Sequence, residues 1–324
     1  MEVNADQAAA ANNEFLRPLP EHARHKKTWA PNLLAGVVWR GLANFGAHRK
    51  VRQLLRLSPF AEATRSNPRF ALKYLTHDYL ARGLTTAQRA SCFLHHYRRM
   101  HAALSEAALR QILHEFIAIH EINAGGSRFT VTMCLSRDFD KEGEFSLNLH
   151  VDSEIVFLLA FTIVPGDVVK SAASEVLLVS RLQGMKGSYE LIQLATKALH
   201  NVAPDAFLFA ALQGVADAFG IREIAAVSAV RQSSYTEDSV VEFRQAYDRF
   251  LSGLGIPQTA DGFFLTPVPV EGRPLASIKR GHKIRTKEKR AFKRQIQLAC
   301  ADFLALLMQG TDIYSSPHAP VGEN

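Results

Sequence analysis

Cysteine is scarce in this chain of 324 residues: Cys92, Cys134 and Cys300 stand far apart, with no Cys-x-x-Cys pair. That spacing excludes a disulfide framework and a structural zinc site of paired cysteines, and fits a reducing cytoplasm. Long apolar runs are also missing. The longest, near Leu33 to Val38 and Ile155 to Val164, fall well short of the roughly 20 residues of a membrane-spanning helix. The first thirty residues carry no secretory pattern, because Ala8 to Ala11 is too short for an apolar signal core and runs into Asn12, Asn13 and Glu14. Acid is in the minority, 31 Asp and Glu against 38 Lys and Arg, for a net charge of +7. An excess of that size matters only where it clusters on one surface.

With 47% apolar residues the chain can bury a sizeable core. Residues 1–30, rich in Ala, Asn and charge and broken by Pro18 and Pro20, are expected to be a mobile tail, and residues 311–324 are expected to form a C-terminal tail. From Leu33 to Leu57 apolar residues alternate with Arg40, His48, Arg49, Lys50, Arg52 and Arg56. Such a segment is either a helix packed on the domain or one lying on an anionic membrane surface. Thr85 and Gln88 have capping-box spacing for a helix to about Ala103, and Ser105 caps the next, whose stripe is Leu109, Ile112, Leu113, Phe116 and Ile117. This helical region, residues 31–124, is expected to end at Gly125-Gly126.

Beyond it the period changes from 3.6 to 2. Phe129, Val131, Met133 and Leu135 alternate, as do Phe145, Leu147, Leu149 and Val151 against Ser146, Asn148 and His150, so these strands are expected to have one wet face. Ile155 to Val164 reads as a central strand, and the short links imply an antiparallel meander. A strand near Glu175 to Ser180, helices at Ser188 to His200 and Pro204 to Phe219, a strand at Glu223 to Val230, a helix at about Val241 to Leu251, a strand at Phe263 to Leu265 and a helix at Ile284 to Leu307 complete the order. The fold class is therefore α/β of the α+β kind: a helical N-terminal part, then residues 125–310 as a mostly antiparallel sheet with flanking helices.

Between a strand and a helix lies Arg181-Leu-Gln183-Gly184-Met-Lys186-Gly187. Glycine there lets backbone amides approach a ligand, the helix N-terminus favours anions, and Lys186 adds charge. The same glycines also suit a plain tight turn. The loop and the order of elements around it resemble the GCN5-related acyltransferases, with the glycine spacing one residue off. That resemblance implies an acyl-CoA or another phosphopantetheine- or phosphate-bearing donor, with Glu144, His150 and Tyr247 available for proton transfer. No metal site is expected, since His114 and His120 are six apart rather than four, and no Gly-x-Ser-x-Gly elbow is present. The densest charge, Arg280, Lys283, Arg285, Lys287, Lys289, Arg290, Lys293 and Arg294, is interrupted only by Glu288. It suits a polyanion or an anionic membrane, with Phe292 alone for base stacking.

Leu94-His95-His96-Tyr97, Glu142-Gly-Glu144-Phe-Ser-Leu, Leu182-Gln183-Gly184, Thr196-Lys197-Ala-Leu-His200, Ala226-Val227-Ser228, Tyr247-Asp248-Arg-Phe250 and Lys287 to Arg294 occur in an order that resembles the VirK/YbjX family of bacterial proteins. The resemblance implies a link to virulence and to envelope changes that resist antimicrobial peptides, with the protein cytoplasmic or peripheral at the inner membrane. It carries no assigned active site. After His200 the family pattern has a glycine and a basic Arg-Pro-Lys, where this chain has Asn201-Val-Ala-Pro204-Asp205.

Overall fold

The computed structural model describes residues 31–136, 141–233, 235, 248–272 and 274–308. Both expected tails, Tyr247 and most of the helix expected from Val241 lie outside these residues. The N-terminal part holds α1 (Pro31–Ala43), α2 (Phe45–Leu54), α3 (Ser58–Ser66), α4 (Thr86–Ala103) and α5 (Glu106–His114). Thr85 and Gln88 form the expected capping box, and the Ser105 hydroxyl accepts the Ala108 amide at α5. None of the helices is long and apolar enough to cross a membrane, among the described residues.

The strands β1 (Ile117–Ala124), β2 (Ser127–Leu135), β3 (Phe145–Val151), β4 (Glu154–Pro165), β5 (Glu175–Gly184), β6 (Glu223–Val227) and β7 (Phe263–Pro267) form one sheet in sequence order. The first five are an antiparallel meander; β5 and β6 are parallel, joined by a crossover through α6 (Tyr189–Ala198) and α7 (Pro204–Phe219), and β7 returns antiparallel to β6. The short α8 (Arg249–Gly253) precedes β7, and α9 (Lys283–Met308) closes the order.

Two expectations are corrected. Residues 117–124 do not extend a helix: Ile117, Ile119 and Ile122 are β-branched, and the positive φ of Gly125 and Gly126 turns the chain into β2 as a hairpin. The strands also have no wet face, because Ser146, Asn148 and His150 are all buried. Phe145 and its row pack under α4 and α5, where Phe145 meets His96 and Tyr97. The opposite, polar row is covered by α7, which lies against β3 and β4 and is backed by α9. That position explains why α7 is apolar nearly all round, with Phe207, Leu208, Phe209, Leu212 and Val215 buried. One apolar core runs from Val37 to Leu307, so the N-terminal helices and the sheet share it. Each large side chain in it contributes about 1.5–3 kcal/mol over its exposed state.

Candidate functional site

The parallel pair is short. β5 meets β6 only at Leu177, Leu178 and Val179, opposite Ile224, Ala225 and Ala226, although β5 continues to Gly184. Two causes are visible. Against β4, Ala160 faces Arg181 while Phe161 faces Val179, so Ser180 is an extra, bulged residue that bends β5. On the other side β6 stops at Val227 and the chain turns through Ala229–Arg231. The carboxyl ends of parallel strands, where neighbours part, are where open α/β sheets form ligand crevices. At this parting Ser180 Oγ, Ser228 Oγ and Gln232 Oε1 are buried without a hydrogen-bond partner. Leaving one such group unsatisfied costs about 1–3 kcal/mol.

Charged groups gather beside it. Arg181 pairs with Glu142 and donates to Gln183 Oε1 at 2.7 Å; Ser233 donates to Glu142 at 2.7 Å. Two residues on, the fully buried Glu144 accepts hydrogen bonds from the Tyr79 and Tyr97 hydroxyls and lies 2.5 Å from Lys73 Nζ. Between the two acids, Gly143 has φ +155, and a Cβ there would sit 2.9 Å from Ala160 Cβ and 3.0 Å from the Phe161 amide. Only glycine fits that approach. Burial, and then the Glu144 charge, hold the Tyr79 and Tyr97 phenols well above their usual range, so both stay protonated donors. Burial, and then Lys73, push His96 well below its usual value, and its neutral Nδ1 accepts the Ile163 amide at 3.1 Å.

The glycine loop is more closed. A Cβ on Gly184 would be 2.9 Å from Ile192 Cδ1, the Met185 amide donates to Val156 O at 2.9 Å, and the Ser188 amide donates to Met185 O at 3.2 Å. Gln183, Lys186 and Gly187 are exposed, and Gly187, at φ +86, has open space beside it. Arg181 turns to Glu142 rather than toward Lys186. At the start of α7, Asp205 accepts the Ala206 amide at 2.6 Å, and its carboxyl is raised by burial.

His150 lies six residues along β3 from Glu144, about 20 Å at strand rise, so the two do not meet. Its Nε2 is 2.9 Å from Thr132 Oγ1, its ring stands edge-on to Phe116, and burial lowers it to about 4. On α9 and just before it, Arg280, Arg285, Lys287 and Arg294 are exposed, and Lys283, Lys289, Arg290 and Lys293 are half-buried. Lys73, Tyr79, Ser180, Gln232 and Ser233 had no sequence signal; Glu142, Tyr97 and Ser228 stand within the segments that carry the VirK/YbjX resemblance.

The chain belongs to the family described as "Protein of unknown function (DUF535)", which matches residues 36–299. No curated protein and no solved structure matches it.

Proposed function

We propose that this chain is an acyl-transfer enzyme of GCN5-related type, whose donor, an acyl-CoA, acyl carrier protein or aminoacyl-tRNA, enters where β5 and β6 part. The observation that carries the reading is the parting itself, with a bulge at Ser180 and three unsatisfied polar atoms buried beside it. A thioester or ester carbonyl needs hydrogen-bond donors preorganised toward its oxygen, in a site dry enough for them to count. Ser180, left out of the ladder, and Ser228 supply them. Glu142, shared between Arg181 and Ser233, is the candidate for proton transfer, while Glu144, enclosed by Lys73 and two tyrosines, holds the segment in position. Lys186 and Gly187 remain the exposed contacts for the donor's phosphates. On this reading the VirK/YbjX resemblance connects the activity to envelope modification and antimicrobial-peptide resistance, from the cytoplasm or the inner face of the membrane.

Thermal unfolding with acetyl-CoA, long-chain acyl-CoA, acyl carrier protein and aminoacyl-tRNA tests it. One donor class should raise the Tm, by the equivalent of about 2.7 kcal/mol at a hundredfold excess over Kd. Ser228→Ala should abolish that shift and leave the unliganded protein as stable or more so, since it deletes a buried hydroxyl that has no partner. No shift with any donor refutes the reading.

A second reading, non-catalytic docking on an anionic membrane or nucleic acid, rests on the crowding of cations along α9. Burial lowers Lys289 and Lys293, and the neighbouring cations Arg285 for the one and Arg290 and Lys289 for the other lower them further. A polyanion relieves such a field. Retention on a polyanion should then fall steeply with salt, and replacing Lys287, Lys289 and Arg294 by glutamine should lower the log–log slope by about one for each phosphate left without its cation. A slope unchanged by these substitutions counts against it.

A further inference from the structure

The face of α1 and α2 turned away from the core is the least expected surface of the molecule. Val38, Trp39, Leu42 and Phe45 are 60, 72, 65 and 64% exposed, while Val37 beside them is buried. The Asn44 amide donates to Arg40 O and the His48 amide to Asn44 O, so helical spacing carries across the junction of the two helices. Val38 and Leu42 on α1 and Phe45 on α2 keep a spacing of four and three across the bend at Asn44 (φ −119, ψ 38), Arg49 and Arg52 follow at that spacing on α2, and Arg56 stands just past its end, all of them exposed. No acid occurs between Pro31 and Leu57. Beside the line, α2 and α4 enclose a groove of about 510 Å³, with Ala47, Ala87 and Leu94 as apolar lining and Lys50 and Arg98 as exposed cations.

We propose that this face docks on an anionic lipid bilayer: Val38, Trp39, Leu42 and Phe45 enter the headgroup boundary, Arg49, Arg52 and Arg56 meet lipid phosphates, and the groove holds one lipid through Lys50 and Arg98. Four large apolar side chains in water forgo about 1.5–3 kcal/mol each, a cost that burial at an interface removes. Tryptophan with a cationic face and no acid is the composition of an interfacial helix. The charge selects an anionic surface over a neutral one. The inference stands apart from the acyl-transfer reading and uses a different surface from α9.

The test uses the full chain carrying Trp29→Phe, which leaves Trp39 as its one tryptophan. Phosphatidylcholine vesicles containing phosphatidylglycerol should shift Trp39 emission to the blue, and brominated lipid should quench it. Pure phosphatidylcholine should do neither. Replacing Arg49, Arg52 and Arg56 with glutamine should weaken partitioning about 100-fold, from about fivefold per cation. Leu42→Ser with Phe45→Ser should weaken it at least as much at an unchanged Tm, and neutralising α9 should leave the Trp39 signal in place. Three results would overturn the proposal: no blue shift on anionic vesicles, partitioning unchanged by either set of substitutions, or emission already blue-shifted in lipid-free protein. The last would mean that residues 1–30 or a second copy of the chain cover the patch.

Discussion

Glu144 and Lys73 are both shut away from solvent, with Nζ 2.5 Å from the carboxylate and two tyrosine hydroxyls completing its shell. Two charges taken out of water recover their desolvation cost only through each other and through such added hydrogen bonds. Removing one partner strands the other. Glu144→Gln should therefore destabilise the protein by about 3–5 kcal/mol in urea unfolding, and Lys73→Met by a similar amount. The double variant should cost clearly less than the sum, because no stranded charge remains. Additive costs would show that the two groups do not depend on each other.

Among elements, the contact of α7 with α9 turns on one glycine. A Cβ at Gly214 would sit 2.3 Å from Gln297 O, a backbone atom that cannot yield unless α9 moves. At Gly184 the obstacle is Ile192 Cδ1 at 2.9 Å, the free end of a flexible side chain. Gly214→Ala should destabilise by about 1–3 kcal/mol despite alanine's better helix propensity, and Gly184→Ala by less than about 1 kcal/mol, both read from urea midpoints at constant slope. The same contrast explains what the chain disclosed in advance. Helices α4, α5, α7 and α9 were legible because their signals are local: Thr85 with Gln88, Ser105, Pro204 and Gly220, and the apolar stripe from Phe292 to Phe303. β1 was not, because Leu109 to Ile117 keeps a helical stripe through the last turn of α5 and only pairing with β2 makes Ile117 the start of a strand. The wet face assigned to β3 failed for a tertiary reason, since α7 arrives from far along the chain to lie against β3 and Phe116 closes edge-on over His150. The glycine loop could be read as a loop, but the parting beside it depends on the register of β5 with both β4 and β6. That register, and the meeting of Lys73 with Glu144, have no local signature.

At the scale of the whole molecule, packing helices on both faces of the sheet disfavours charge on the histidines buried against it. His96 projects from α4 onto Phe145, and His150 lies on the opposite face of the sheet. Burial lowers both, as it does His48 and His120, with His120 and His150 reaching about 4. The unfolded chain titrates these groups near 6.5. Below that pH it binds protons that the folded protein does not, so stability falls as pH drops, until each folded histidine titrates and its share of the slope ends. Glu62 and Asp78 have folded values held below 4.5 and 3.8, so their own loss of stability is confined to more acid solution. Between about pH 6 and pH 5 the decline therefore belongs mainly to histidine, at up to about 1.4 kcal/mol per pH unit for each fully buried ring. His150→Gln, which keeps a polar partner for Thr132, should flatten the decline by about that amount in urea titrations repeated across this window. A slope unaltered by the substitution would mean that His150 takes up its proton in the folded protein as readily as in the unfolded one.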